Sequence, residues 1–101
     1  GGDGEADGKG GADAGGGVKN IYEIEVRAQC PVQATDTDRY EFTIESASMI
    51  QVETITEFFA TNAGTAEVFQ EELTRLAAVT FGAKVRSIGW HSGVKVTCEA
   101  P

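Results

Sequence analysis

The order in which the apolar periodicity changes along the chain constrains the fold more than any other feature. Apolar and polar residues alternate from Tyr22 to Cys30 and again from Tyr40 to Ile44, a pattern that indicates two half-buried strands. Pro31 cannot donate a hydrogen bond to a ladder and therefore ends the first strand. Because the connection between the two strands is short, we predict that they pair antiparallel.

The period becomes helical in the middle of the chain. Asn62 and Gly64 divide this region into two predicted helices. Thr65 is expected to cap the second helix, with Glu67 in the first turn, where the helix dipole favours a negative charge, and Gly82 is expected to end it. The predicted inner faces are Val52, Ile55, Phe58 and Phe59 in the first helix, and Phe69, Leu73, Leu76, Ala77 and Thr80 in the second.

Alternation returns near the C-terminus and predicts two more strands joined by the turn "HSG". Ile88 and Trp90 share one face of the third strand, and we expect Phe42, Trp90 and Cys98 to be core residues. The order is ββααββ, which places the chain in the α+β class. The simplest arrangement is one four-stranded antiparallel sheet with both helices on one face.

The N-terminal segment differs in composition from the rest of the chain. Its first 17 residues hold nine of the 13 glycines and no hydrophobe larger than alanine. Such a segment cannot bury enough apolar surface to offset the entropy lost on ordering. We therefore predict a disordered Gly/Asp-rich tail over residues 1–19 and a single domain over residues 20–101. The segment has no basic n-region or apolar h-region, so it is not expected to be a signal peptide.

Charge and cysteine content exclude several classes of function. The net charge of -8 repels phosphate backbones, which argues against nucleic acid as a general ligand. Two widely spaced cysteines and one histidine do not form a zinc-binding pattern, so no metal is expected. No apolar run approaches the roughly 20 residues that span a membrane. We expect a soluble cytoplasmic protein with free thiols.

Three short motifs suggest a function. A Cys-Pro pair begins at Cys30 at a strand end, and Asp36 and Asp38 follow in the next loop. The motif "MIQVE" opens the first helix and ends at Glu53, and "VFQEEL" places Glu71 at the start of the second. Together with the element order, these motifs resemble the tunnelling fold and, within it, the 7-cyano-7-deazaguanine reductase family of queuosine biosynthesis. The resemblance covers residues 22–99.

The resemblance implies a site for a purine-like nitrile. Cys30 would add to the nitrile carbon to form a thioimide, and Asp38 would protonate the nitrogen. Asp38 lies eight residues after Cys30, one more than is usual in the family, which leaves Asp36 as an alternative acid. Glu71 would anchor the ring through paired hydrogen bonds, and Glu53 and His91 complete the predicted substrate-binding set.

Each candidate also has a simpler structural interpretation. Cys30 has the size and polarity of a small buried hydrophobe. Glu53 and Glu71 are carboxylates near helix starts, where the helix dipole favours them anyway. His91 lies at a predicted turn, where a histidine is usually solvated.

The sequence departs from the family at two positions that matter for the chemistry. The lysines that follow the first glutamate in the family's nicotinamide-cofactor motif are missing from "ETITEFF", and Gln70 replaces the family's histidine. We therefore expect no NADPH and no other cofactor. A related branch adds ammonia to the same nitrile on a tRNA base and makes an amidine, and the lost lysines favour that archaeosine branch over reduction.

Three hypotheses follow from the resemblance. The first is a deazapurine (queuosine or archaeosine) tRNA-modification protein, which would contact nucleic acid only in acting on a tRNA base. The second is a non-catalytic purine- or pterin-binding or assembly domain, and the third is pterin chemistry in the same fold. The resemblance also implies a homo-oligomer with ligand sites between subunits. The small core and the open sheet edges of a domain of this size favour such an assembly.

We predict that the protein does not bind NADPH, because residues 53–60 offer no cation to the phosphates of a dinucleotide. Calorimetric titration with NADPH should give no saturable heat. A dissociation constant in the micromolar range, about -8 kcal/mol of binding free energy, would show that the cofactor site has been misjudged.

Overall fold

The computed structural model describes residues 17–29, 37–63 and 69–101. It has four strands and two helices: β1 (Asn20–Gln29), β2 (Thr37–Ser46), α1 (Val52–Asn62), α2 (Gln70–Phe81), β3 (Lys84–His91) and β4 (Val94–Ala100). The predicted order ββααββ is therefore confirmed. The tail at residues 1–16, the loop residues Cys30 and Asp36, and the expected cap Thr65 with Glu67 lie outside the described residues, as do the side chains of residues 29, 37 and 38. Within the described residues, no helix is long and apolar enough to cross a membrane.

The four strands form one antiparallel sheet in the order β1-β2-β3-β4. Strand β1 ends and β2 begins at one end of this sheet, and β3 ends and β4 begins at the same end. We call it the hairpin end. Here β2 and β3 approach each other at the pair Tyr40 and Gly89, two residues before His91. The strands β1 and β4 are the two edges of the sheet.

Both helices cover the same face of the sheet, as predicted. Helix α2 packs over β3 and β4. Helix α1 lies towards β2, where the ring of Phe59 is 4.7 Å from that of Phe42. Just before α1, the backbone N–H of Ile50 donates to the Tyr22 hydroxyl on β1 at 2.9 Å. Alternate residues of β1 and β2 are buried between these layers, and Phe42 is in the core, as expected.

Helix α2 differs from the prediction in its start and in the face it buries. It begins at Gln70, with Phe69 in the N-cap position, and it ends as expected at Gly82, which has a left-handed φ of 58°. The buried residues are Gln70, Leu73, Thr74, Ala77 and Ala78, whereas Phe69, Leu76 and Thr80 are exposed. The prediction was right for Leu73 and Ala77 and wrong for the other three, because two polar residues of this helix, Gln70 and Thr74, find buried hydrogen-bond partners on β3.

The predicted inner face of β3 was also wrong. Trp90 is 60% exposed and Ile88 is only half-buried, while Val85, Ser87 and Gly89 are buried beneath the helices. The strand carries apolar residues on both faces, so alternation alone cannot select one. Contact with β2 favours the observed face, because the Tyr40 ring needs a residue without a side chain beside it. A Cβ on Gly89 would overlap this ring, at 2.6 Å from Cε1.

We expect Gly89→Ala to lower the free energy of unfolding by about 1–3 kcal/mol, because the added methyl group must displace the buried Tyr40 ring. Urea unfolding followed by circular dichroism measures the change. Thr97→Ala, at an exposed position of β4, is the control and should cost less than about 1 kcal/mol. Equal stability of Gly89→Ala and the wild type would contradict this packing.

Candidate functional site

A buried polar cluster lies between α2 and the inner face of the sheet, towards the hairpin end. We call it the Gln70 cluster; its members are Gln70, Thr74, Ser87 and His91. Gln70, Thr74 and Ser87 are 5%, 2% and 0% exposed, and His91 is half-buried. Buried polar groups cost free energy unless they are hydrogen-bonded, so the partners of each atom decide what this cluster does.

The side-chain amide of Gln70 bridges α2 to two strands. Its Nε2 donates to the carbonyl oxygen of Val96 on β4 at 3.1 Å, and to the carbonyl oxygen and the Oγ of Ser87 on β3 at 3.3 and 3.1 Å. Since an NH₂ group has two hydrogens, one of them is shared between the two Ser87 acceptors. Two main-chain carbonyls face this nitrogen, so the opposite amide orientation would set oxygen against oxygen.

The two hydroxyls of the cluster close a ring of hydrogen bonds. Thr74 Oγ1 donates to the Gln70 carbonyl one turn earlier at 2.7 Å, and it lies 2.6 Å from Ser87 Oγ. A hydroxyl has one hydrogen, so Ser87 is the donor to Thr74. The ring therefore runs from the Gln70 amide to Ser87, then to Thr74, and back to the Gln70 main chain.

The oxygen of the Gln70 amide contacts His91. His91 Nε2 lies 2.8 Å from Gln70 Oε1, and the imidazole ring lies 5.8 Å from the Tyr40 ring at an angle of 39°. Because Oε1 accepts only, His91 carries a hydrogen on Nε2. The histidine is the last residue of β3 and is held inside the subunit, which contradicts its interpretation as a solvated turn residue.

Cys98 lies next to this cluster rather than in the core. It is half-buried on β4, opposite Ser87 in the β3–β4 ladder. Burial raises the pKa of the Cys98 thiol, and the negative charge of Glu71 raises it further. The raised pKa disfavours the thiolate, so Cys98 is a poor nucleophile. The prediction of a fully buried Cys98 was wrong because β4 is an edge strand.

Glu71 is exposed at the start of α2, directly after buried Gln70. Its Oε2 forms an ion pair with Arg75 at 3.3 Å, one turn along the helix, and both side chains are largely exposed. A surface pair of this type contributes little stability. The carboxylate is therefore accessible to a ligand and close to β4, as its effect on Cys98 indicates.

The other predicted site residues divide between the two ends of the sheet. The backbone of Asp38 pairs with Ala28 in the β1–β2 ladder, and Asp38 precedes the Tyr40 ring by two residues, so it lies at the hairpin end with His91 and Glu71. Cys30 follows the last residue of β1 but lies outside the described residues.

Glu53 lies at the opposite end of the sheet. It is exposed in the first turn of α1, three residues after the Ile50 N–H that bonds Tyr22 on β1. The structure thus places His91 and Glu71 near each other, and it does not place Glu53 with them within one subunit. Among the described residues, no group of three or more potential metal ligands occurs.

Sequence reasoning named Gln70 only as the replacement for the family's histidine, and it did not predict the cluster that Gln70 forms with Thr74 and Ser87. A usable signal was present in the spacing. Gln70 and Thr74 are one helical turn apart, and Ser87 lies on the same strand face as Val85 and Gly89. These three polar residues are buried, so they require partners, and the partners are one another.

We predict that Glu71→Gln increases the alkylation rate of Cys98 by iodoacetamide near pH 8 by a few-fold. Removing the negative charge lowers the pKa of the thiol and so raises its thiolate fraction. The measurement is made by mass spectrometry in a Cys30→Ala background. Glu99→Gln is the matched control, because Glu99 neighbours Cys98 in sequence but pairs with Arg86 on the outer face at 3.6 Å. Equal rates in the two variants would contradict the role of Glu71.

Comparison with known proteins supports the fold. No protein-family model matches the sequence. No curated protein matches it either. Among solved structures, the apo form of an archaeosine synthase QueF-like protein superimposes with a TM-score of 0.66 at 19% identity, covering 81% of this chain and 90% of that one. The chain therefore has the fold of a QueF-like tunnelling-fold protein, as the sequence motifs predicted.

Proposed function

We propose that this chain is a cytoplasmic tunnelling-fold protein of deazapurine tRNA-modification type, which binds a 7-cyano-7-deazaguanine-like nitrile and forms a thioimide with it through Cys30. The observation that carries the proposal is the arrangement at the hairpin end, in a fold shared with an archaeosine synthase QueF-like protein. Glu71 is exposed there next to Gln70, whose amide bonds His91, and Asp38 is the second residue of β2 at the same end.

The proposed chemistry needs a thiol, a proton carrier and no reductant. The sulfur of Cys30 forms a bond to the nitrile carbon, and one of the two carbon–nitrogen π bonds breaks. The thiol proton passes to Asp38 and from there to the nitrogen, which gives a neutral thioimide. Attack by ammonia on the same carbon then expels the Cys30 thiolate and leaves the amidine in its protonated form, which carries the third hydrogen of the ammonia; transfer of that proton to the thiolate restores the thiol. A carboxylate beside the cysteine raises the pKa of a thiol, so the acid has to accept the proton as the bond forms.

The distribution of the candidate residues favours a site between subunits. Glu53 lies at the β1 side of the far end of the sheet, while Glu71 lies at the β4 side of the hairpin end. β1 and β4 are the unpaired edges of the sheet in one subunit. Because the two glutamates lie at opposite ends of one subunit, a ligand that contacts both would have to lie between different copies. If the purine-like ring is a base of a tRNA, the tRNA contacts the site only through that base.

A specific observation favours a second function, a non-catalytic purine- or pterin-binding or assembly domain. Where the resembled family has a histidine, this chain has Gln70, whose nitrogen and oxygen are both engaged within the subunit. A side chain engaged in this way supports the scaffold and does not transfer a proton. The exposed Glu71 would then bind a ring without any reaction.

Intact-mass measurement separates the two functions. If the first is correct, incubation with 7-cyano-7-deazaguanine gives a covalent adduct of the ligand's mass, because the thioimide retains every atom of both reactants. Cys30→Ala should abolish the adduct and Cys98→Ala should preserve it, since the raised pKa of Cys98 disfavours its thiolate.

The rate of adduct formation tests the proton carrier. Asp38→Asn should slow it by about 10²-fold or more, the usual contribution of a positioned general acid. Asp36→Asn is the matched control and should leave the rate nearly unchanged. A larger effect at Asp36 would exchange the two roles. No adduct at millimolar ligand, with binding retained, would leave the non-catalytic function.

A further inference from the structure

We propose that Gln70 is a positioning residue for the ligand site: its amide fixes both Glu71 and His91 by tying the start of α2 to β3 and β4. The inference rests on the proposed function in one respect, that Glu71 binds the ring. Gln70 itself does not contact the ligand, and it acts through Glu71 and His91.

The orientation of the Gln70 amide is set by the main chain. The carbonyls of Ser87 and Val96 both face Nε2, and neither can donate a hydrogen bond. With Gln70 95% buried, the amide has no solvent alternative. Its Oε1 must therefore face away from both strands, towards His91 at 2.8 Å. The side chain has one orientation, and this orientation selects the tautomer of the histidine.

The same contacts fix the first turn of α2. The backbone N–H groups of the first turn have no partners in the helix, and Phe69 provides no side-chain cap. Within the turn, the Phe69 N–H donates to the exposed Glu72 carboxylate at 3.4 Å. Among the described residues, the hydrogen bonds between this turn and the sheet are those of the Gln70 side chain. Glu71 follows Gln70 in the chain, so the position of its carboxylate depends on that anchor.

Packing leaves little room for the amide to move. A Cβ on Gly89 would come within 3.0 Å of Gln70 Oε1, so the amide lies close above the bare backbone of β3. The Tyr40 ring lies against the same glycine, with its Cε1 2.6 Å from where that Cβ would be. Binding sites require supporting residues whose own rotamers are locked by packing and hydrogen bonds, and Gln70 meets both conditions.

The test compares Gln70→Met with Thr74→Val. Met keeps the length of the side chain and removes the amide, whereas Val removes two hydrogen bonds of the same ring without touching His91 or Glu71. Both variants lose stability, and only the first loses the anchor. The probe is 7-cyano-7-deazaguanine, titrated calorimetrically in a Cys30→Ala background so that binding stays reversible. We expect Gln70→Met to weaken binding about tenfold or more and Thr74→Val to weaken it less than about twofold.

A second readout requires no ligand. His91 is the one histidine of the chain, so its imidazole gives a single proton resonance for the Nε2–H group. The hydrogen bond to Gln70 slows exchange of this proton with water, and the resonance should be present in the wild type and in Thr74→Val but lost in Gln70→Met. Gln70→Asn, too short to reach both the carbonyls and His91, should behave like Gln70→Met and replaces it if the latter does not fold.

The outcomes separate the inference from the function on which it rests. If the wild-type protein does not bind the probe, the proposed function fails, and the inference about ligand binding fails with it. If the wild type binds and Gln70→Met binds equally well, the inference alone is overturned. If Gln70→Met and Thr74→Val weaken binding to the same extent, Gln70 has only a structural role, which also overturns it.

Discussion

The structure depends on one buried amide that faces two main-chain carbonyls. The Gln70 side chain joins α2 to β3 and β4, the two strands that this helix covers. A hydrophobic contact would tolerate sliding of the helix along the sheet, because burial of apolar area has no direction. The hydrogen bonds to Ser87 and Val96 have direction, so they fix the register between the two layers as well as their distance.

Several other features follow from that register. Gln70 requires Ser87 on the inner face of β3, and alternation then places Gly89 and His91 inward and Trp90 outward. The absence of a side chain at Gly89 lets the Tyr40 ring lie against β3, and the same ring contacts His91. The polar residues at the hairpin end are thus consequences of the packing between α2 and the sheet.

The sequence was sufficient to predict the elements and their order, because the period of the apolar residues changes where the structure changes. Alternation predicted β1 and β2 and the burial of Phe42. It failed for β3, where Ile88 and Trp90 offered the more apolar face, since the choice of face depends on contacts with β2 and α2. These contacts join residues far apart in the chain, and no local pattern reports them. The inner stripe of α2 was wrong for the same reason.

The candidate site could be predicted only in part, and the reason is physical. Short motifs suggested Glu71 and Asp38, and the fold places both at one end of the sheet with His91. The motifs did not show that Gln70 would bond His91. A substitution at a family position shows which side chain was lost, but not which contacts the new side chain makes. In this chain a side chain with a fixed amide occupies the position of one that can carry a proton. A glutamine there can orient neighbouring side chains but cannot titrate, so in the proposed reaction the proton is carried by the aspartate at the start of β2. In the proposed function, binding and chemistry therefore depend on different residues, and the two can be lost independently.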